Sequence, residues 1–410
     1  MTAPTDRPGH RARLAAWAYA LVVVGAAVIL VVPYELNVPH VPPVDFYVYR
    51  YAAGAAYAGT DIYQGDVFGP GIGPSGLPFT YTPFAAVALW PTTCFSAHTA
   101  YVLWNIANLL ALAYVLDRFV PLRRRYRLPL LLALLTAARF TVIGFHHLDF
   151  GQINLLLMGL CILDVFRRTD TAAARLMPRG VLIGVAGAIK LTPLLFLPFF
   201  LITRQWRAAA GTAMGFLGAT LVGLVVLPHA SWTFFTVTFW ELSDKVDLGD
   251  LFSSSGNNSV QGALAAVDGL PGAVGPALAL VAAAAGLWAA QRVFRTAGLG
   301  PAALVVGLTA AAVSPVSWIH HWVYLLPALV YLACYGRLPV QLFAAAAALV
   351  LIVTEGPTTG DRMLDGDPAG WLMPVAVLAR ESLLLLSVAV VAVLVVMRVR
   401  PDRELPMPAT

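Results

Sequence analysis

One acidic side chain lies among aromatic residues near the start of the chain, and its type suits proton transfer. Asp45 is part of V-D-F-Y-V-Y-R-Y and shares a face with Tyr49 if this segment is helical. A carboxylate beside a bound hydroxyl group can accept its proton as a general base. A solvated or helix-capping carboxylate is the alternative. Aromatic residues follow at Tyr63, Phe79 and Tyr81, where they either anchor the segment at a membrane interface or stack on sugar rings.

A single lysine interrupts an apolar region in the middle of the chain. Lys190 lies in G-V-A-G-A-I-K-L-T-P, between two apolar runs and far from the basic clusters. Pro193 breaks a helix here and leaves backbone groups that must line a cavity. The pattern favours a cation directed at a buried anion, and the alternative is a lysine that snorkels to the membrane interface. We expect two short helices around Lys190, or else one long tilted helix over residues 176–203.

Five polar residues cluster in F-H-H-L-D-F-G-Q-I-N, at the start of an apolar run: His146, His147, Asp149, Gln152 and Asn154. The two histidines and the aspartate suggest a metal site. Adjacent histidines rarely both reach one ion, however, and the ligand set is incomplete, so we predict no metal here. Gln152 and Asn154 either form hydrogen bonds between helices or line a cavity.

Two further histidines, His320 and His321, lie between apolar runs in S-P-V-S-W-I-H-H-W-V-Y. Histidine donates hydrogen bonds and can carry positive charge, so both residues fit an anion site shared with Lys190. Histidines that are satisfied at the membrane interface are the alternative. The polar segment S-S-S-G-N-N-S-V-Q-G contains Asn257, Asn258 and Ser259, which either bind hydroxyl groups or belong to a turn.

The composition requires a membrane-embedded scaffold to position these residues. Of 410 residues, 59% are hydrophobic and 11% are charged, and the mean hydropathy is +0.77. Soluble domains contain about 25% charged residues, so we predict an all-α polytopic membrane protein. The three cysteines have no metal-ligand spacing and are odd in number, so no disulfide framework or zinc site is predicted. The absence of phosphate-binding glycine motifs and of a large cytoplasmic loop argues against a nucleotide-binding domain.

The basic residues predict the topology. Most of the 26 Lys and Arg residues fall in clusters, and acids, aromatic residues, Gly and Pro fill the turns between them. By the positive-inside rule, the clusters and both termini are cytoplasmic, and the net charge of +5 reflects topology. The alternation fits about twelve spans in one membrane domain, residues 1–410. Its cytoplasmic tails are 1–13 and 398–410, its first extracytoplasmic loop is 34–81, and segment 83–94 is a short helix that does not cross.

The candidate residues all fall on the predicted extracytoplasmic side of the membrane. Polar groups in a bilayer are costly unless they are paired, so this grouping predicts one site at that face. A membrane substrate with a lipid tail and an anionic head fits the site, because cations can hold the head while helices hold the tail. A lipid-linked sugar transporter is an alternative, although it needs polar groups near the midplane that are reachable from both sides. A structural subunit of an envelope-synthesis complex is another.

Five short motifs follow one another along the chain: D-F-x-V-Y, G-Q-I-N, A-I-K-L-T-P, N-N-S and S-P-V-S-W-I-H-H. Their order, from Asp45 to Trp322, resembles glycosyltransferase family 87. The resemblance implies a GT-C fold in the plasma membrane of an actinobacterium, with polyprenyl-phosphate-mannose as the donor. It also implies an inverting α-1,2-mannosyltransferase that acts on a phosphatidylinositol mannoside. An enzyme that adds α-1,2-mannose branches to lipomannan or lipoarabinomannan is the alternative within the same family.

The resemblance also gives the candidate residues roles. Asp45 matches the general base that removes the proton of the acceptor hydroxyl group, and Asp149 is the second choice. We assign stabilisation of the leaving polyprenyl phosphate to Lys190, His320 and His321. The residues expected to orient sugars are Tyr49, Gln152, Asn154 and Asn258. Phosphate leaves without further activation, so no metal or cofactor is expected.

Overall fold

The computed structural model describes residues 17, 19–31, 43–63, 77–121, 124–167, 177–240, 256–265, 273–366 and 369–397. The predicted tails at 1–13 and 398–410 lie outside the described residues, as do residues 34–42 and 64–76 of the predicted first loop. Helices dominate the described ranges and confirm the predicted all-α fold class. The first ten helices are α1 (Tyr19–Val31), α2 (Val44–Ala58), α3 (Pro83–Ala88), α4 (Ala97–Arg118), α5 (Arg124–Arg139), α6 (Val142–Asp149), α7 (Asn154–Val165), α8 (Val181–Ile189), α9 (Phe196–Ile202) and α10 (Trp206–Val226).

The second half of the chain continues the same architecture. Its helices are α11 (Pro228–Thr233), α12 (Val260–Ala265), α13 (Val274–Ala297), α14 (Leu299–Val313), α15 (Leu325–Tyr335), α16 (Leu338–Val353), α17 (Gly356–Asp365), α18 (Met373–Arg380) and α19 (Ser382–Val396). Short irregular helical turns lie between α-helices at Trp90–Cys94, Thr192–Leu195, Phe234–Thr238 and Ile319–His321. The predicted short helix over 83–94 is confirmed as α3 followed by the Trp90–Cys94 turn.

Several helices have the length and hydropathy of membrane spans. Three are long and apolar enough to cross by themselves: α4, α10 and α13. Three more spans arise if each bent pair counts as one span: α5 with α6, bent by 72°, α16 with α17, bent by 56°, and α18 with α19, bent by 66°. Shorter apolar helices accompany them. The membrane character is therefore clear, and the count of about twelve spans stays a prediction.

One side of α10 has the character of a lipid-facing surface. Met214, Leu217, Leu221 and Val225 recur on one side of this helix, and each is more than half exposed. An exposed apolar stripe of this size is unfavourable in water and favourable against lipid tails. The opposite side of α10 packs against the protein interior through small residues.

Helices α8 and α10 approach each other closely because glycines line their contact. A Cβ atom on Gly184 would overlap the carbonyl oxygen of Thr212, and one on Gly215 would overlap that of Val181. Small residues at such contacts allow two backbones to pack directly, as is typical of membrane helices. This contact fixes α8, the helix that ends next to Lys190.

The helix is interrupted at Lys190, as predicted. Helix α8 ends at Ile189, and Lys190 has extended backbone angles of φ −141° and ψ 129°. Pro193 follows in the Thr192–Leu195 turn before α9 begins. The expectation of two short helices is confirmed, and one long helix over 176–203 is wrong, because the proline and the extended residue interrupt its hydrogen bonds.

Helix α2 brings the first loop against the turn between α6 and α7. The helix starts at Val44 and ends at Ala58, and the next residue, Gly59, has a positive φ of 71° that glycine readily adopts. The amide of Phe46 donates to the carbonyl oxygen of Phe150 at 3.2 Å. The predicted helix is confirmed, and it places Asp45 one turn before Tyr49.

Candidate active site

Lys190 lies at the centre of a polar network built from separate segments of the chain. Its Nζ atom donates to Oδ1 of Asn154 at 3.0 Å and lies 3.1 Å from Nε2 of His321. The same atom lies 5.4 Å from the centre of the Tyr81 ring, within the range of a cation–π interaction. These contacts favour the predicted inward orientation of Lys190 over snorkelling.

The network continues from Asn154 towards helix α2. Nδ2 of Asn154 donates to Oε1 of Gln152 at 3.2 Å, and the hydroxyl group of Tyr49 donates to the same oxygen at 3.0 Å. The hydroxyl groups of Tyr49 and Tyr81 lie 2.9 Å apart. Because Oε1 of Gln152 accepts from two donors, its Nε2 is the group left to donate to a further partner.

That partner is Asp45, which lies in the first turn of α2 and is largely buried. Helix α2 is not one of the apolar helices that could cross a membrane. Burial raises the pKa of the Asp45 carboxyl group from 3.8 to about 6, while a hydrogen bond from Gln152 and the charge of Lys190 act in the opposite direction. Asp45 is therefore ionised at neutral pH and titrates close enough to it to accept a proton.

The two adjacent histidines have different surroundings. His321 contacts Lys190, and its Nδ1 atom accepts from the Trp318 amide at 3.2 Å. The His320 ring is buried, and its centre lies 5.6 Å from that of Phe150. The His320 carbonyl oxygen, rather than its ring, joins the network by accepting from Asn154 at 3.2 Å. The sequence grouped both histidines with Lys190, whereas the structure brings only the His321 ring to its ammonium group.

Asn258 lies beside the turn that carries the histidines. Its backbone amide donates to the Ser317 carbonyl oxygen at 2.8 Å, and its side-chain Nδ2 donates to the Gly256 carbonyl oxygen at 2.8 Å. The neighbouring Asn257, another of the candidate hydroxyl binders, accepts from the backbone amide of Ser317 at 2.9 Å through Oδ1. In the free protein, this segment supports the turn, and Asn258 is buried rather than open to a substrate.

Asp149 and the neighbouring histidines do not join the Lys190 network. Asp149 faces Arg139, with Oδ1 and Nη2 at 3.8 Å, and Arg139 is itself buried. His147 is buried and accepts from the Leu155 amide at 3.0 Å through Nε2. Within the described ranges, no three His, Cys, Asp or Glu side chains are placed to hold a metal ion.

A small open cavity adjoins the network. Lys190 and His321 form part of its wall, together with Asn154, Ser314 and Ser317. The remaining wall is mainly apolar or small and comprises Leu157, Met158, Thr192, Pro193, Phe196, Gly307, Ala310, Ala311, Val323 and Tyr324. The sequence motifs did not indicate these apolar residues, because such residues look the same in any buried helix. The wall chemistry suits a molecule that combines an anionic group with an apolar chain.

The fold and the site together define an integral membrane protein with a pocket whose wall chemistry suits an amphipathic anion, next to a carboxylate that can accept a proton. Comparison with known proteins makes this class specific. The model of glycosyltransferase family 87 matches residues 79–315, and the chain belongs to this family. The prediction of an enzyme is confirmed, and family membership disfavours the transporter and structural-subunit alternatives.

Three mycobacterial relatives support the assignment. The chain is 34% identical over 385 residues to the polyprenol-phosphate-mannose-dependent alpha-(1-2)-phosphatidylinositol mannoside mannosyltransferase of Mycobacterium tuberculosis, covering 88% of this chain and 87% of that protein. It is 33% identical to the protein of the same name in Mycolicibacterium smegmatis, covering 77% and 76%. It is 30% identical to a polyprenol-phosphate-mannose-dependent alpha-(1-2)-phosphatidylinositol pentamannoside mannosyltransferase of M. smegmatis, covering 62% and 61%.

One solved structure is also similar. It is the crystal structure of ArnT from Cupriavidus metallidurans bound to undecaprenyl phosphate. The match has a TM-score of 0.44 and 16% sequence identity, and it covers 92% of this chain and 78% of that chain.

Proposed function

We propose that this protein transfers mannose from polyprenyl-phosphate-mannose to a phosphatidylinositol mannoside and forms an α-1,2 linkage. The observation that carries the proposal is the continuous network from Asp45 through Gln152 and Asn154 to Lys190 and His321. It joins a carboxylate to a cation beside a largely apolar cavity. The names of the mycobacterial relatives support the same donor and acceptor classes.

In the proposed reaction, Asp45 acts as the general base. The acceptor hydroxyl oxygen attacks C1 of mannose while its proton passes to the Asp45 carboxylate. The bond between C1 and the phosphate oxygen breaks on the opposite face, and its electron pair remains on the phosphate. Attack from the opposite face converts a β-linked mannosyl phosphate into an α-mannoside. The reaction is balanced without a metal or cofactor.

Lys190 and His321 stabilise the departing polyprenyl phosphate. Negative charge grows on the phosphate as the bond to C1 breaks, so donors fixed in advance favour the transition state. Asn154 holds the ammonium group of Lys190 in place, and the apolar wall of the cavity accommodates the isoprenoid chain next to the phosphate. His320 is assigned to the same phosphate by the sequence motif, and its ring must leave its present packing against Phe150 to make that contact.

The place of Tyr49, Gln152 and Asn154 between the base and the cation supports a sugar-orienting role for them. Gln152 forms hydrogen bonds with Asp45 and with Asn154, so it links the carboxylate to the phosphate site. Asn258 is also proposed to contact a sugar, which requires its segment to open, because the residue is buried in the free protein.

We further propose a plasma-membrane location, an extracytoplasmic site and two cytoplasmic termini in a single membrane domain over residues 1–410. Cys94 offers a test, because it is exposed and lies just before α4 at the proposed outer face. A membrane-impermeant maleimide is expected to label Cys94 in intact cells and to fail with Cys94→Ser. Labelling that requires broken cells would reverse the proposed orientation.

The enzymatic proposal is tested with purified protein in detergent. Radiolabelled polyprenyl-phosphate-mannose is supplied with a mixture of phosphatidylinositol mannosides and lipomannan, and the linkage of each labelled product is determined. An α-1,2-linked phosphatidylinositol mannoside is expected. Label in lipomannan branches would instead select the alternative acceptor, and no transfer by protein that binds the donor would contradict the enzymatic proposal.

A further inference from the structure

Helix α7 begins without the usual capping side chain. The residue before its first turn is Ile153, which has no side-chain acceptor for the free amides of the helix. His147 fills this role from six positions earlier, because the Leu155 amide donates to its Nε2 atom at 3.0 Å. The imidazole ring is completely buried. A histidine from α6 therefore caps the helix that carries Asn154.

The backbone of His147 fixes a second member of the network. The Gln152 amide donates to the His147 carbonyl oxygen at 2.9 Å. One residue thus supports the turn that carries Gln152 and the helix start that carries Asn154. These two side chains link Asp45 to Lys190.

The hydrogen-bond pattern also defines the form of the imidazole ring. Nε2 accepts a hydrogen bond, so the neutral ring carries its proton on Nδ1. Nδ1 has no hydrogen-bond partner among the described residues. A buried N–H group without a partner is unfavourable. An aliphatic residue would avoid this loss but could not cap α7, so the capping function accounts for a polar residue at this buried position.

We propose that His147 is a positioning residue for the transfer reaction. Its imidazole ring holds the first turn of α7 so that Asn154 fixes Lys190 against the donor phosphate. It does not contact substrate, and its effect passes through Asn154. The proposal rests on the function proposed above, and the experiment below separates the two.

The test compares His147→Ala with His147→Gln, whose side-chain oxygen can reach the place of Nε2. His146→Gln on the same helix is the matched control, because His146 is partly exposed and stacks on Phe150. We expect His147→Ala to lower kcat/KM by about 2- to 30-fold, the range that corresponds to loss of a capping hydrogen bond. The loss is expected mainly in KM for the donor. His147→Gln should recover most of it, and His146→Gln should match the wild type.

A double-mutant cycle identifies the route of the effect. In an Asn154→Ala background, His147→Ala should lower kcat/KM by less than about 2-fold, because the side chain through which it acts is gone. Equal losses in both backgrounds would overturn the proposal. So would a His147→Ala protein with a lower folded yield but unchanged KM, since that result identifies a structural role only.

Equilibrium binding of undecaprenyl phosphate is measured in parallel with all variants. His147→Ala should weaken binding, and His147→Gln should restore it. If wild-type protein binds this probe but transfers no mannose, the proposed function fails, while the binding comparison still decides the positioning role. Unchanged binding in His147→Ala would overturn that role even if transfer by the wild type is robust.

Discussion

Asp45→Asn is expected to change activity and stability in opposite directions, because the Asp45 carboxyl group affects each in a different way. Burial raises the pKa of this group from 3.8 to about 6, so the folded protein favours its protonated form. Ionised Asp45 therefore destabilises the fold above about pH 6. At about 1.4 kcal/mol per pKa unit, the shift corresponds to at most about 3 kcal/mol. We expect Asp45→Asn to raise the apparent Tm at pH 7.5, and the difference should vanish as the pH falls towards 4.

The same substitution should remove activity. A general base contributes about 10²- to 10⁴-fold to the rate, and an amide cannot accept the proton. For the wild type, kcat/KM should fall as the pH drops through about 6, because Asp45 must be ionised to act. The variant is thus expected to be more stable and at least about 100-fold slower, a combination that a merely structural carboxylate would not produce.

The assay pairs mannose transfer with thermal unfolding in detergent between pH 4 and pH 8. Asp61→Asn is the matched control, because Asp61 lies in the same loop and accepts from the Tyr63 amide through an oxygen that asparagine retains. This control should keep wild-type activity and stability. An Asp45→Asn protein that retains more than about a tenth of the wild-type rate would refute the assignment of the base. A lower Tm at pH 7.5 would refute the stability argument.

Three further substitutions test other parts of the site and scaffold. Lys190→Met should raise KM for the donor and lower kcat, because the ammonium group is lost from the phosphate site. Steady-state kinetics with varied donor concentration measures both constants, and an unchanged KM would contradict this role. Gly307→Ala should push the Tyr324 ring, which lies against this glycine, into the cavity. Because overpacking of this kind costs about 1–3 kcal/mol, binding of polyprenyl phosphate should weaken. An unchanged affinity would argue that the isoprenoid chain binds elsewhere. Gly184→Val should separate α8 from α10 and lower the Tm. The control Gly218→Val lies on the open side of α10 and should leave the Tm unchanged. Equal Tm values for the two variants would contradict the close-packing argument.

The sequence predicted local features of the site well because their causes are local. Pro193 and the apolar runs around Lys190 indicated the break that the structure shows. The spacing of Asp45 and Tyr49 indicated a shared helical face, and α2 confirms the helix. A proline, a run of apolar residues or a helical repeat acts over a few neighbouring residues, so the printed sequence contains all the information needed.

The partners of these residues were not predictable in the same way. Nothing in I-H-H indicates that His321 turns to Lys190 while the His320 ring packs against Phe150. The capping role of His147 was likewise hidden, because a pair of histidines before an aspartate suggests metal binding more readily than a helix cap. Such distinctions depend on side-chain direction and on what each ring meets in space.

The sequence by itself predicted a helical membrane protein with basic groups and a carboxylate on one side of the membrane, and the order of its motifs resembled glycosyltransferase family 87. Composition and motif order carry that information, since hydropathy and residue type act additively along the chain. Only the tertiary structure decided which groups share one network. Lys190 meets Asn154 across 36 positions and His321 across 131 positions. The packing of the helices, including the close glycine contact between α8 and α10, brings these distant positions together. Packing is a property of the whole fold rather than of any segment.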